Sequence, residues 1–209
     1  MKQYKNIIFD LGGVVLDIDY NKTIEAFEEL GIPHAGRLYS KAAQNPLFNE
    51  LEKGLITEEE FFSGMSDLGD VVLSDKQIRK AWNALILELP EENVMLLQEL
   101  KKDHRLFLLS NTNAIHEKEY RETITGQYGK FILDELFEKM YLSHHLHMRK
   151  PDPEIFEYIL EDSKLKAEET CFIDDSPQHV AGARLMNIRY YLLNNQSLCK
   201  FVKSLTVSV

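Results

Sequence analysis

Four groups of residues have side chains and spacing suited to chemistry on an oxyanion. Asp10 follows the apolar run Ile7-Ile8-Phe9 and opens Asp10-Leu11-Gly12-Gly13-Val14-Val15. A carboxylate therefore stands at the tip of a buried strand, ahead of a glycine-loosened turn. Leu108-Leu109-Ser110-Asn111-Thr112-Asn113 ends a second apolar run in four small polar residues, a turn able to offer a hydroxyl and backbone N–H groups to an anion. Lys150-Pro151-Asp152-Pro153 holds a cation in an extended dipeptide ahead of a helix, because the residue before proline avoids helical torsions. Phe172-Ile173-Asp174-Asp175-Ser176 ends a third run in paired carboxylates, whose repulsion a hard divalent cation would relieve.

Short apolar runs at Tyr4–Asp10, Arg105–Ser110, Lys139–Ser143, Thr170–Asp174 and Arg189–Leu193 read as buried strands, with helical patterns between them after the second. That alternation implies an α/β fold, a Rossmann-like doubly wound parallel sheet flanked by helices. Between the first two strands lie roughly ninety residues with no strand signal and repeated helix punctuation. Asp19 precedes a periodic segment closing at Gly31, and Thr57-Glu58-Glu59-Glu60 and Ser74-Asp75-Lys76-Gln77 both have the form of capping boxes. The expected division is a core of residues 1–16 and 89–209 with an all-helical cap of residues 17–88 inserted into it, Pro90 opening the helix that returns to the core.

Each polar group alone suits a helix cap or turn. In a parallel sheet, however, the carboxyl ends of all strands face one crevice, so elements at the ends of different strands converge by topology. The chain has 209 residues, 44% of them hydrophobic, enough for one sizeable core with an accessory lobe. A net charge of −10 and a pI near 5.2 argue against a surface built for nucleic acid or anionic lipid, so phosphate binding must come from local geometry. With no signal-peptide core at the start and no apolar run long enough to span a bilayer, a cytoplasmic location is expected. Cys171 lies in an apolar run, as a buried reduced thiol would, and a disulfide with Cys199 does not follow from the sequence.

The order Asp10, Ser110, Lys150, Asp174-Asp175 with these flanks resembles the haloacid-dehalogenase superfamily of phosphatases over the whole chain. Phe9-Asp10-Leu11-Gly12-Gly13-Val14, Leu109-Ser110-Asn111-Thr112-Asn113 and Met148-Arg149-Lys150-Pro151 are similar to bacterial α-D-glucose-1-phosphate phosphatases, and more distantly to the phosphatase domain of soluble epoxide hydrolases. The resemblance puts the helical insertion at the C1-type cap position and implies that the partner is a small-molecule phosphate ester. It implies that Asp10 is a nucleophile forming an aspartyl-phosphate intermediate while its other oxygen holds Mg²⁺. It further implies that the Gly12 carbonyl and Asp175 are metal ligands, with Asp174 beside them directly or through water. Ser110 Oγ and the Asn111 N–H would hold phosphoryl oxygens, and Lys150 would offset charge between phosphoryl group and carboxylates.

Gly12 stands where the commonest relatives carry a second aspartate, their general acid and base. Dehalogenases also lack that aspartate, but they work without Mg²⁺ and replace the acidic pair, so Asp174-Asp175 favours phosphoryl transfer over a metal-independent 2-haloacid dehalogenase. A weakly catalytic phosphate-ligand binder is the remaining alternative. A hexose 1-phosphate would need the acid less, since its anomeric oxygen leaves as a comparatively stable hemiacetal oxyanion. Asp17, or less readily Asp19, could instead act as a surrogate acid or base, although hinge and helix-cap roles suit both better. His144, His145 and His147 have the density of metal ligands but sit on the approach to Lys150, and His147 stands where the family commonly has glycine, so the turn there is expected to differ. Phe61-Phe62, Trp82 and Leu85-Ile86-Leu87 are expected to pack between cap helices.

Overall fold

A computed structural model describes residues 3–32, 35–36, 46–69, 72–194 and 196–207. Five strands, β1 (Asn6–Phe9), β2 (Arg105–Ser110), β3 (Lys139–Leu142), β4 (Thr170–Asp174) and β5 (Arg189–Leu192), form one parallel sheet in the order β3-β2-β1-β4-β5. The strand that carries Asp10 at its end is therefore central, with Phe9 paired to Leu108 on one side and Ile173 on the other. Both faces of the central strands are apolar, as a sheet covered by helices on each side requires. Ile7, Phe9, Leu108 and Ile173 join one core cluster, while Ile8, Phe107, Leu109 and Phe172 point into another.

Among the described residues, the insertion between β1 and Glu88 holds the helices α1 (Tyr20–Glu29), α2 (Pro46–Glu52), α3 (Glu58–Gly69) and α4 (Asp75–Asn83). Side-chain caps fix their starts. Asp19 Oδ1 accepts from Asn21 N at 3.0 Å, Thr57 and Glu60 exchange reciprocal bonds of 2.8 and 3.1 Å, and Ser74 and Gln77 complete a second capping box. These helices enclose a third apolar cluster around Phe27, Phe48, Phe61, Phe62 and Trp82, separate from the two against the sheet. The two chain crossings lie side by side: Asp17 N donates to Glu88 O at 3.0 Å, Leu87 N to Asp17 O at 3.1 Å and Asp19 N to Leu85 O at 2.9 Å. Ile18 and Ile86 form an antiparallel bridge between them.

The chain returns through α5 (Glu91–Leu100) to the sheet. Then come α6 (Ala114–Tyr128) after β2, α7 (Leu133–Leu136), α8 (Ser143–Leu146) directly after β3, α9 (Pro153–Asp162), α10 (Pro177–Leu185) after β4, and α11 (Leu198–Val207). Ser143, expected as the last residue of a strand, instead starts α8, and its Oγ bonds both the N–H and the carbonyl of Thr112 at 2.9 Å. Cys171 and Cys199 are buried free thiols, and burial pushes the Cys171 thiol up to about 12. Among the described residues no helix is long and apolar enough to cross a membrane.

Candidate active site

Asp10 leaves β1 with its N–H bonded to Ile173 O at 2.9 Å, so the adjoining strand fixes the direction of its side chain. Lys150 Nζ lies 2.7 Å from Asp10 Oδ1, 2.7 Å from Asp174 Oδ2 and 2.9 Å from Leu109 O, which uses all three ammonium donors. The lysine is 0% exposed. Its loop is held by Asn111, whose side chain donates to Lys150 O and accepts from Lys150 N, each at 2.9 Å. The Lys150–Pro151 peptide is cis.

Asp174 is also fully buried, and its two oxygens accept from Ser176 N at 2.7 Å, His179 Nδ1 at 3.0 Å and Lys150 Nζ. Burial pushes its pKa up, but Lys150 and His179 outweigh that and hold it well below the usual carboxylate range. At Asp10 burial dominates: it drives the pKa to about 6, with Lys150 pulling down and Asp174 pushing up.

The turn after Asp10 is shaped by its two glycines. Gly13 has φ +79°, and a Cβ placed there would lie 2.7 Å from Asp175 Oδ2, so only glycine lets this carboxylate approach the turn. At Gly12 a Cβ would meet Ile18 Cδ1 at 3.0 Å. The end of the Ile18 side chain would have to give by a few tenths of an ångström to admit a side chain at position 12.

Asp10, Gly12, Ser110, Asn111 and Asp175 line one cavity of about 320 Å³, which Glu52, Trp82, His116 and Arg149 also help to wall. Asp17, by contrast, is exposed in the crossing pair, and Asp19 caps α1; neither borders the cavity. Of the polar run after β2, Asn113 serves structure: it caps α6 by accepting from His116 N at 3.0 Å and accepts from Trp82 Nε1 at 3.3 Å. Trp82, buried with Phe61 and Phe62, stacks on Phe48 of the same lobe at 5.3 Å and reaches beyond the lobe to stack on His116 at 4.8 Å.

Residues 4–187 match the haloacid dehalogenase-like hydrolase family. The chain belongs to that family. This hydrolase is 35% identical over 176 residues to the D-ribitol-5-phosphate phosphatase of Bacteroides thetaiotaomicron, covering 84% of this chain and 85% of the relative. A HAD family enzyme of that bacterium, solved as the wild-type protein with magnesium and inorganic phosphate, superimposes with a TM-score of 0.85 at 35% identity, covering 95% of this chain and 98% of the other. A HAD-like hydrolase from Porphyromonas gingivalis gives a TM-score of 0.84 at 30% identity, with 99% of each chain covered.

Several residues at the hydrolase's site had no signal in the sequence. His179 follows Asp174-Asp175 by one helical turn, a spacing that could have drawn notice. Arg149 sits beside Lys150, but its partners come from the helical lobe: Glu52 Oε2 at 2.9 Å and Asn49 Oδ1 at 2.9 Å. The turn at His147, expected to differ from that of a glycine, instead keeps the left-handed conformation a glycine favours, with φ 56°, and its Nδ1 lies 2.8 Å from Lys53 O.

The donor chemistry around Asp10 fits a hard divalent cation. Its carboxylate, the Gly12 carbonyl and the Asp175 carboxylate offer only oxygen. Asp10 and Asp174 share the ammonium of Lys150, and Asp175 lies against the same turn at Gly13, so a dication would meet acidic, oxygen-bearing surroundings.

Proposed function

We propose that this protein is a Mg²⁺-dependent phosphomonoesterase acting on a small phosphorylated sugar or sugar alcohol, with residues 17–88 as the cap that covers the site. The observation that carries the reading is Lys150, fully buried and 2.7 Å from both Asp10 and Asp174, behind the Asp10 carboxylate that lines the cavity. Asp10 attacks phosphorus and the ester bond breaks, giving an aspartyl-phosphate and the alcohol. Water then attacks the acyl phosphate and returns the carboxylate with inorganic phosphate. Ser110 Oγ and the Asn111 N–H receive phosphoryl oxygens, while Lys150 keeps Asp10 ionised and directed. Asp10, the Gly12 carbonyl and Asp175 would hold Mg²⁺, which neutralises charge that develops on the phosphoryl group. Asp174, already engaged by Lys150, His179 and Ser176, is assigned to orienting the lysine rather than to the ion.

The far wall supports an uncharged, hydroxylated leaving group. Glu52 and Arg149 are paired at 2.9 Å, so they offer acceptor and donor atoms to hydroxyls with no net charge, and Phe48, Trp82 and Ile18 offer apolar faces to C–H groups. A second anionic group would have to compete for Arg149. The same relative of B. thetaiotaomicron, named for a pentitol phosphate, lies within this substrate class.

Among the described residues the carboxylates lining the cavity are Asp10, Asp175 and Glu52, and Glu52 is committed to Arg149, so none of these is placed to protonate a leaving oxygen as a residue at position 12 would. Within the class, a hexose 1-phosphate should therefore pass the chemical step faster than an alditol phosphate, whose alkoxide must take a proton from water. The test is phosphate release from p-nitrophenyl phosphate and from a panel of sugar and alditol phosphates with and without Mg²⁺, using the wild type and Asp10→Asn. Turnover that needs Mg²⁺ and disappears with Asp10→Asn supports the proposal. Halide release from 2-haloacids in EDTA would establish dehalogenation instead, and inertness towards all of these would leave only ligand binding.

A further inference from the structure

Of the three histidines before Lys150, two converge on a residue 27 positions or more upstream. His144 Nε2 and His145 Nε2, both on α8, each lie 3.0 Å from Glu117 Oε2 on α6. The ligand-type atoms of the three residues all fall within 4.8 Å of one another. None of the three lines the catalytic cavity. We propose that Glu117, His144 and His145 form a second metal site, selective for Zn²⁺ or a similar transition-metal dication and separate from the Mg²⁺ site.

Two imidazole nitrogens and one carboxylate oxygen suit a borderline dication and not Mg²⁺, which prefers oxygen throughout. Bonds of 2.0–2.1 Å in a tetrahedral zinc site place ligand atoms roughly 3.3 Å apart, close to the 3.0 Å that separates each histidine nitrogen from Glu117 Oε2. Glu117 is already oriented from behind, since Arg121 Nε donates to its Oε1 at 2.8 Å and leaves Oε2 towards the histidines. His144 is held rigidly, its side chain 6% exposed, whereas His145 is 58% exposed and can close on an ion arriving from solvent, leaving a fourth position for water. Hydrogen bonding to Glu117 does not by itself complete the cluster: His144 Nδ1 is buried without a hydrogen-bond partner among the described residues.

An ion here would tie α6 to α8 where the helical lobe touches the core. A Cβ on Gly54 would collide with the His144 carbonyl oxygen, so the loop after α2 presses directly on this segment. Three residues after His144, His147 Nδ1 donates to Lys53 O, and Arg149 then pairs with Glu52. The site would thus brace the stretch that carries Arg149 and Lys150.

The experiment uses full-length protein stripped with EDTA and returned to saturating Mg²⁺, then titrated calorimetrically with Zn²⁺. One equivalent should bind, and at hundredfold excess over Kd the thermal midpoint should rise by about 5 to 10 °C. His145→Ala, a surface change that circular dichroism can verify as folded, should weaken binding at least tenfold, as should Glu117→Gln. Asp10→Asn should keep it. Absence of Zn²⁺ binding to the wild type in Mg²⁺ would overturn the proposal. So would binding that survives His145→Ala but is lost in Asp10→Asn, because the ion would then occupy the catalytic centre.

Discussion

Replacing Gly13 with alanine tests how the turn after Asp10 shapes the site, and the effect can be divided into two parts. The first is backbone strain: φ is +79°, and holding an L-residue in the left-handed region costs about 1–2 kcal/mol. For a chain of this length each kcal/mol lowers the melting midpoint by about 2–4 °C, so strain alone predicts a drop of about 2–8 °C. The second is displacement. The new Cβ would lie 2.7 Å from Asp175 Oδ2 where ordinary contact begins at 3.4 Å, a deficit of 3.4 − 2.7 = 0.7 Å that the carboxylate must absorb. Misplacing a reacting or ligating group by 1 Å can lower rate roughly 10²-fold, so kcat/KM should fall between about tenfold and hundredfold. The Mg²⁺ concentration for half-maximal activity should rise by a similar factor. Gly129→Ala supplies the control, since Gly129 also has positive φ (+72°) at the end of α6 but a Cβ there meets nothing within 4 Å. Thermal melts and Mg²⁺ titrations of both variants separate strain from displacement. If Gly13→Ala matches Gly129→Ala in stability and keeps the wild-type Mg²⁺ dependence, Asp175 is not the ligand assigned here.

Lys150→Met should destabilise the fold by about 3–5 kcal/mol, read from denaturant midpoints, because Asp10 and Asp174 would lose the cation between them. Glu52→Gln should raise KM for sugar and alditol phosphates several-fold while leaving p-nitrophenyl phosphate nearly unchanged; equal changes for both would show that the Glu52–Arg149 pair only holds the lobes together. Gly12→Asp alone should lower activity, since its Cβ would press on the Ile18 side chain. Combined with Ile18→Ala it should raise turnover of alditol phosphates relative to hexose 1-phosphates, and stopped-flow phosphate release can measure that ratio. Addition of EDTA to the wild type should abolish phosphatase activity and Mg²⁺ should restore it, as seen by colorimetric phosphate assay.

Elements governed by local pattern were legible in the chain. The runs around Ile7, Leu108 and Cys171 became adjacent buried strands because continuous apolar sequence needs helices on both faces, whereas the run around Tyr191, also expected to be buried, forms a half-buried edge strand. The Thr57 and Ser74 helix starts were legible because a capping box is a contact between residues three apart. The polar run after β2 was legible only in part: its composition marked a turn, while Asn111 and Asn113 turned out to brace Lys150 and Trp82. Their partners lie tens of residues away, beyond the reach of local pattern.

Sequence alone determined that four chemically apt segments would meet, since parallel strands of one sheet must bring their carboxyl ends to a common edge. It also determined that position 12 lacks a carboxylate. Only the tertiary structure decided what borders that place, Ile18 from the chain crossing, and what walls the cavity, Glu52 against Arg149 across 97 positions. It likewise split the histidine cluster, sending His147 to Lys53 and joining His144 and His145 to Glu117. The physical reason is common to all three: such contacts depend on how separate helices dock, and docking is set by packed surfaces whose side chains are far apart along the chain.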